Sequence, residues 1–313
     1  MNFPRLRNRL GLNQAACAGG SRSGKVTTRS NAGDGYLLLS RNYAPSDDLS
    51  PYVRQHYVFE AHLPEDFELI DTLMSETAFI RILLKGDWAA QYSPGTWSSF
   101  GQVPLMGANG VPLRVRVRGP FLVVGISLRP AGWRSLFDCP ASDIADHAMP
   151  LGAHWGALAE QLVQDVAAAT DDEAIVDAIE SVVRTRLAEV GRRSPVAAMV
   201  RFEHIARHDS TMPVADIADL LGLSTRQLER NCKATFGHTP KVILRRSRFL
   251  DTSQAMRGFG DPSEEQLTAL RYFDQSHLNR EFRHFFDMTP GQFEKATTPL
   301  FTAGLKLRAD GRA

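Results

Sequence analysis

Residues 222–240 read GLSTRQLERNCKATFGHTP, and residues 272–290 read YFDQSHLNREFRHFFDMTP. At a constant offset of fifty, Leu228 meets Leu278, Arg230 meets Arg280, Phe236 meets Phe286, and Thr239-Pro240 meets Thr289-Pro290. The match extends upstream, where Ile217, Leu220 and Leu223 align with Leu267, Leu270 and Phe273. One unit therefore occurs twice in this chain.

Each copy predicts a helix, a short turn and a second helix. Residues 214–221 carry apolar positions at helical spacing, which Gly222-Leu223-Ser224 interrupts. Ser224 is a good N-cap for a helix over 225–236, whose inner face holds Leu228, Cys232 and Phe236. Its outer face carries Arg226, Glu229, Arg230 and Lys233. Gly237 suits the stop of that helix, and Thr239 then caps a new one with Pro240 in its first turn. In the second copy Asp274 is the cap. Leu278, Phe282 and Phe286 form the inner stripe there, while Ser276, Asn279, Arg280 and Arg283 point outward.

Arginine on such a second helix can bond guanine O6 and N7 together, and asparagine does the same for adenine N6 and N7. A solvated helical hairpin with ordinary surface charges explains one such copy equally well. Two copies joined by one long helix favour the major-groove reading.

Residues 194–296 resemble the DNA-binding domain of the AraC/XylS transcription regulators. The residues that carry the resemblance are Ile217-Ala218, Gly222-Leu223-Ser224, Leu228 and Arg230. Residues 274–278 (Asp-Gln-Ser-His-Leu) add to it, with Arg280, Phe282 and Met288-Thr289-Pro290. The resemblance implies two helix-turn-helix units, with a long helix over 239–257 holding both recognition helices on one side. It also implies that double-stranded promoter DNA is contacted from Ser224, Thr225, Arg226, Glu229, Arg230 and Lys233 in the first unit. The matched positions of the second are Gln275, Ser276, Asn279, Arg280 and Arg283. Thr239, Arg245 and Arg246 are expected to contact phosphates. One position departs from the family: Tyr272 stands where the first copy has Gly222, and family members have glycine in that second turn. A remodelled turn is expected, with Tyr272 at negative φ and packed against Leu267 or Phe282.

With 313 residues, the chain has room for about two domains. Its formal net charge is +1, and residues 193–296 hold 15 basic against 13 acidic side chains. DNA affinity must then come from local clustering, such as Arg245, Arg246 and Arg248, and not from bulk charge. Cys17, Cys139 and Cys232 have no metal-ligand spacing, and Cys232 reads as a small core residue. A reducing cytoplasm fits this usage, and no run of 18 apolar residues calls for a membrane.

Residues 1–35 have no acidic side chain before Asp34. A transit peptide shares that trait, but the bacterial family resemblance favours a disordered basic extension. Residues 36–153 predict a β-rich sensor domain with strands over 36–39, 52–59, 68–73, 79–84, 89–92, 111–117 and 121–128. Short strands at this spacing suggest a barrel or sandwich, and their order loosely resembles the cupin-like sensor half of such regulators. Residues 113–118 alternate Leu-Arg-Val-Arg-Val-Arg, so one face is buried and the other is a row of arginines. Trp88, Trp97, Arg114 and Arg116 are candidates for an effector pocket. His56 and His62 lack the HxH pairing of metal-binding cupins, so no cofactor or metal is expected.

Residues 154–191 predict paired helices whose apolar stripes suit either intramolecular packing or a dimer seam, and the family resemblance tilts this to dimerisation. Residues 192–298 form the DNA-binding domain, all-α with about seven helices, and 299–313 a flexible tail. The expected function is a cytoplasmic, homodimeric transcription regulator, with a small-molecule effector and RNA polymerase as further partners. The rival is an enzyme or metal-binding cupin-like domain fused to a DNA anchor. No phosphate loop, GxSxG or HExxH supports it.

Overall fold

The computed structural model describes residues 26–31, 36–92, 95–191, 193–259 and 275–309. The N-terminal half is one antiparallel sheet. Its strands are β1 (Val26–Asn31), β2 (Leu37–Tyr43), β3 (Val53–His62), β4 (Glu68–Leu73), β5 (Phe79–Tyr92), β6 (Pro104–Met106), β7 (Leu113–Leu128) and β8 (Ala148–Pro150). Their order is β1-β2-β3-β7-β5-β6-β8, with β4 also on β7. The long strand β7 organises the sheet: its first half pairs with β4, its second with β3, and β5 runs along its other edge.

Two breaks expected from the sequence are absent. Residues 79–84 and 89–92 belong to one strand, as do 111–117 and 121–128 from Leu113 onward. The glycines that suggested turns act as bends. Gly86 sits at φ +86 beside two register shifts in the β5–β7 ladder. A Cβ on Gly86 would lie 2.7 Å from the Pro120 carbonyl oxygen, so the strands approach there only because the side chain is missing. Part of the expected basic extension, residues 26–31, is strand β1 on the edge of the sheet.

After the 3₁₀ turns Pro130–Ser135 and Ala141–Asp143 come α1 (Gly152–Trp155), α2 (Ala157–Ala168) and α3 (Asp172–Val190). The stripes of α2 and α3 do not form a free dimer seam. Leu158, Leu162, Ile179 and Val183 pack into the same core as Val58, Ile80 and Val124 of the sheet. An apolar stripe spent on the chain's own core is unavailable to a second copy.

The C-terminal half consists of α4 (Ala197–His208), α5 (Val214–Leu220), α6 (Thr225–Phe236), α7 (Pro240–Met256), α8 (Gln275–Phe286) and α9 (Pro290–Lys295). Local chemistry sets their ends as the repeat predicts. Ser224 and Gln227 form a capping box on α6, and Thr289 and Gln292 form the same box on α9. Gly222 takes φ +68 in the first turn. The second turn, with Tyr272, lies outside the described residues.

The positions closing α6 and α8 also correspond at the offset of fifty: Gly237 at φ +84 and Asp287 at φ +55. Aspartate tolerates that region, but Gly237 has a second constraint. A Cβ there would meet the Ala145 Cβ at 2.9 Å, because the first unit packs against the N-terminal half.

Helix α7 is the strut, contributing Ile243 and Leu244 to the first unit's core and Phe249 and Leu250 to the second's. The expected flexible tail is instead α10 (Pro299–Ala309). Its Leu300 and Phe301 amides donate to Asp71 Oδ2 on β4, at 2.7 and 3.2 Å. A readable signal existed: Thr298-Pro299 is the third Thr-Pro start in the chain, and Phe301 and Leu305 follow at i+4 spacing.

Candidate nucleic-acid interface

On α6 the buried stripe Leu228, Cys232 and Phe236 turns the opposite face outward. Ser224, Thr225, Arg226, Arg230 and Lys233 are exposed there. Glu229 is half-buried and pairs with the Lys233 ammonium at 2.9 Å. On α8 the stripe is Phe282, Phe285 and Phe286, with Leu278 only half-buried. Gln275, Ser276, Arg280 and Arg283 are exposed, and Asn279 is half-buried. Among the described residues Arg226, Arg230, Arg280 and Arg283 have no carboxylate partner. Four guanidinium groups are thus left unspent on two exposed helix faces, the state a base-edge or phosphate contact needs.

The family described as Helix-turn-helix domain matches residues 217–296. These residues are a helix-turn-helix domain of the AraC type. Residues 41–150 match a domain of unknown function, DUF6597. No curated protein matches the chain. Among solved structures, ToxT from Vibrio cholerae is 13% identical, with 77% of this chain and 97% of ToxT covered and a TM-score of 0.42. The AraC-like transcriptional activator CuxR is 16% identical, with 72% and 79% covered and a TM-score of 0.22. These last two likenesses are too distant to carry any argument.

The basic run on α7 of the AraC-type domain divides. Neighbouring helical positions point about 100° apart, so Arg245 and Arg246 meet different surroundings. Arg245 grips Glu281 on α8 with two hydrogen bonds, Nη2 to Oε1 at 2.7 Å and Nε to Oε2 at 3.0 Å. It fixes α8 on the strut. Arg246 is 1% exposed and donates to the carbonyls of Asn109 (2.9 Å) and Glu76 (2.7 Å). Burial lowers its pKa to about 10. A side chain in that position cannot reach a phosphate, which corrects the expectation from its neighbours in sequence. The Thr239 hydroxyl caps α7, accepting from the Val242 amide at 3.4 Å.

The expected effector residues divide: Trp97, Arg114 and Arg116 meet on the outer face of the sheet, whereas Trp88 lies apart in the core. Trp88 is buried beneath Arg81, whose guanidinium lies 5.1 Å from its ring. Trp97 lies under Arg114 (5.4 Å) and Arg116 (5.2 Å). The strict alternation of β7 explains this: Val115 and Val117 face inward, so Arg114 and Arg116 face out. A cavity of about 230 Å³ lies instead between the inner face and α10. His56 hydrogen-bonds Glu180 at 3.2 Å, with both side chains 1% exposed, and serves as a tie between β3 and α3. Among the described residues no cluster of three or more His, Cys, Asp or Glu could hold a metal ion. No described helix is long and apolar enough to cross a membrane.

Two further sets of contacts join the helical half to the sheet half. Helix α6 packs on the turns Pro130–Ser135 and Ala141–Asp143. Its exposed face, through Ser224, Arg226, Arg230 and Lys233, shares a cleft of about 590 Å³ with Pro140 and Ser142. The second contact centres on Glu76, which pairs with Arg308 of α10 at 2.5 Å and approaches Arg207 of α4 at 3.9 Å. Arg308 also pairs with Asp251 at 2.5 Å, and Arg54 of β3 pairs with Glu203 of α4. Sequence reading found none of these, because the partners in these pairs stand tens to hundreds of positions apart.

Proposed function

We propose that this AraC-type transcription regulator reads two successive major-groove segments on one face of its promoter, with α6 and α8 each inserted in one. The observation that supports this most is the pair of exposed helix faces with unspent arginines, both rooted on one rigid strut. Helix α7 has 17 residues, a length of about 26 Å. With the units at its ends it suits grooves repeating at about 34 Å. Sites selected from a random DNA pool should show two protected segments at that spacing in a footprint. One protected segment would overturn the paired reading.

Arg226, Glu229 and Arg230 act on the first half of the site, and Ser276, Asn279 and Arg280 on the second. Arg230→Ala and Arg280→Ala are each expected to cost about 1–3 kcal/mol of binding and to relax specificity at one base of their own half. Wild-type binding by both variants contradicts the assignment. The N-terminal half regulates through its contacts with α6 and α10, and it responds to a small-molecule effector. A homodimer would have to use a surface other than the stripes of α2 and α3. RNA polymerase is the partner through which promoter binding acts.

A further inference from the structure

The cavity between the sheet and α10 has a wall of two kinds. Its sheet side is apolar, with Phe79, Val115, Val117, Phe121 and Val123 facing in, and Leu300, Phe301 and Leu307 of α10 roof it. Among the described residues, one cation in that wall stands without a counter-ion. Arg81 lies 5.3 Å from the Phe79 ring and 5.1 Å from the Trp88 ring, and no described carboxylate pairs with it. Its neighbours Arg54 and Arg308, also in the wall, are already matched by Glu203, Glu76 and Asp251. Aromatic faces offset only part of the cost of holding a guanidinium away from water, so an anion beside Arg81 would be favoured.

The roof keeps the space open. Gly304 lies in the middle of α10 at the rim of the cavity, where it is exposed, and a Cβ added there would meet nothing within 4 Å. Glycine inside a helix is destabilising relative to alanine, so α10 gives up local stability at a rim position where a larger side chain would narrow the mouth of the cavity.

We propose that this cavity is the effector site, and that its ligand is an amphipathic organic acid with one carboxylate at Arg81 and an apolar body under α10. The inference rests on the regulator reading above and adds the ligand class and the route of its action. Because α10 also packs on α7 and shares the phenylalanine core of α8, a ligand that shifts the roof acts directly on the second recognition helix.

The test uses the full chain, with octanoate and 4-phenylbutyrate as acids and octanamide as the neutral counterpart, followed by titration calorimetry. At least one acid is expected to bind tenfold or more tightly than the amide. Arg81→Gln should bring that acid to the level of the amide. Gly304→Leu should weaken binding tenfold or more while leaving the melting temperature at or above that of the wild type, since leucine narrows the mouth of the cavity and favours the helix. The bound acid should also change affinity for the selected DNA site severalfold. Equal binding of acid and amide, no binding of any probe, or full binding by Gly304→Leu overturns the proposal. Selective DNA binding that persists in those cases leaves the regulator reading standing. A chain that selects no DNA sequence at all sinks the regulator reading instead.

Discussion

Phe249→Ala lowers the unfolding free energy by about 3–5 kcal/mol, among the largest losses expected from a single core truncation. Phe249 on α7 is fully buried. Its ring centroid lies 5.0 Å from Phe282, 5.4 Å from Phe285, 6.1 Å from Phe286 and 6.2 Å from Phe301. The first three rings belong to the second recognition helix and the fourth to α10. Phe249 thus holds α8 to the strut and the roof helix to both. Removing the ring leaves a cavity among rigid aromatics, which have little freedom to collapse into it. The footprint should shrink toward the first half-site before the chain as a whole unfolds. Denaturant unfolding and footprinting of one preparation test this, and a loss under 1 kcal/mol with both segments protected refutes it.

Arg308→Ala is expected to cost about 3 kcal/mol, because it strips the nearest partner from two half-buried carboxylates. Burial raises the Glu76 pKa, but Arg308, Arg207, Arg54 and Arg246 together outweigh it and hold the carboxyl near 2. Burial is also the largest influence on Asp251, and it keeps that group above its ordinary value despite Arg308. Without the guanidinium Glu76 keeps only the more distant Arg207, Arg54 and Arg246, and Asp251 keeps only the Ser210 hydroxyl.

The pH dependence has a definite sign. A depressed carboxyl contributes stability that is present above its unfolded value of 4.5 and is lost as pH falls toward about 2. The wild type should therefore lose more stability than Arg308→Ala between those values. Thermal melts across that window check both statements. Parallel curves for the two proteins would show that the Glu76–Arg308 pair does not hold the halves together.

The repeat at offset fifty was sufficient to place α6, α7 and the start of α9, because caps, stops and stripes are local events. Ser224, Gly237, Thr239 and Thr289 each act within one helical turn, and the sequence around them contains all that they need. The alternation of Arg114, Val115, Arg116 and Val117 likewise determined which side chains face inward on β7.

What the sequence could not decide is what lies on the other side of each face. The same basic run places Arg245 on Glu281 and Arg246 under Asn109, since the N-terminal half covers one side of α7 and not the other. The stripes of α2 and α3 looked the same whether destined for a second copy or for the chain's own sheet. Only the packing of Leu162 and Ile179 against Ile80 and Val124 decided between them. The tail of the chain became a roof helix because Asp71 accepts its first amides and Glu76 holds its last arginine. Sequence by itself determined the elements and their inward faces, where the forces act within a few residues. Tertiary structure decided the partners of those faces, because burial and charge pairing join positions as far apart as Glu76 and Arg308.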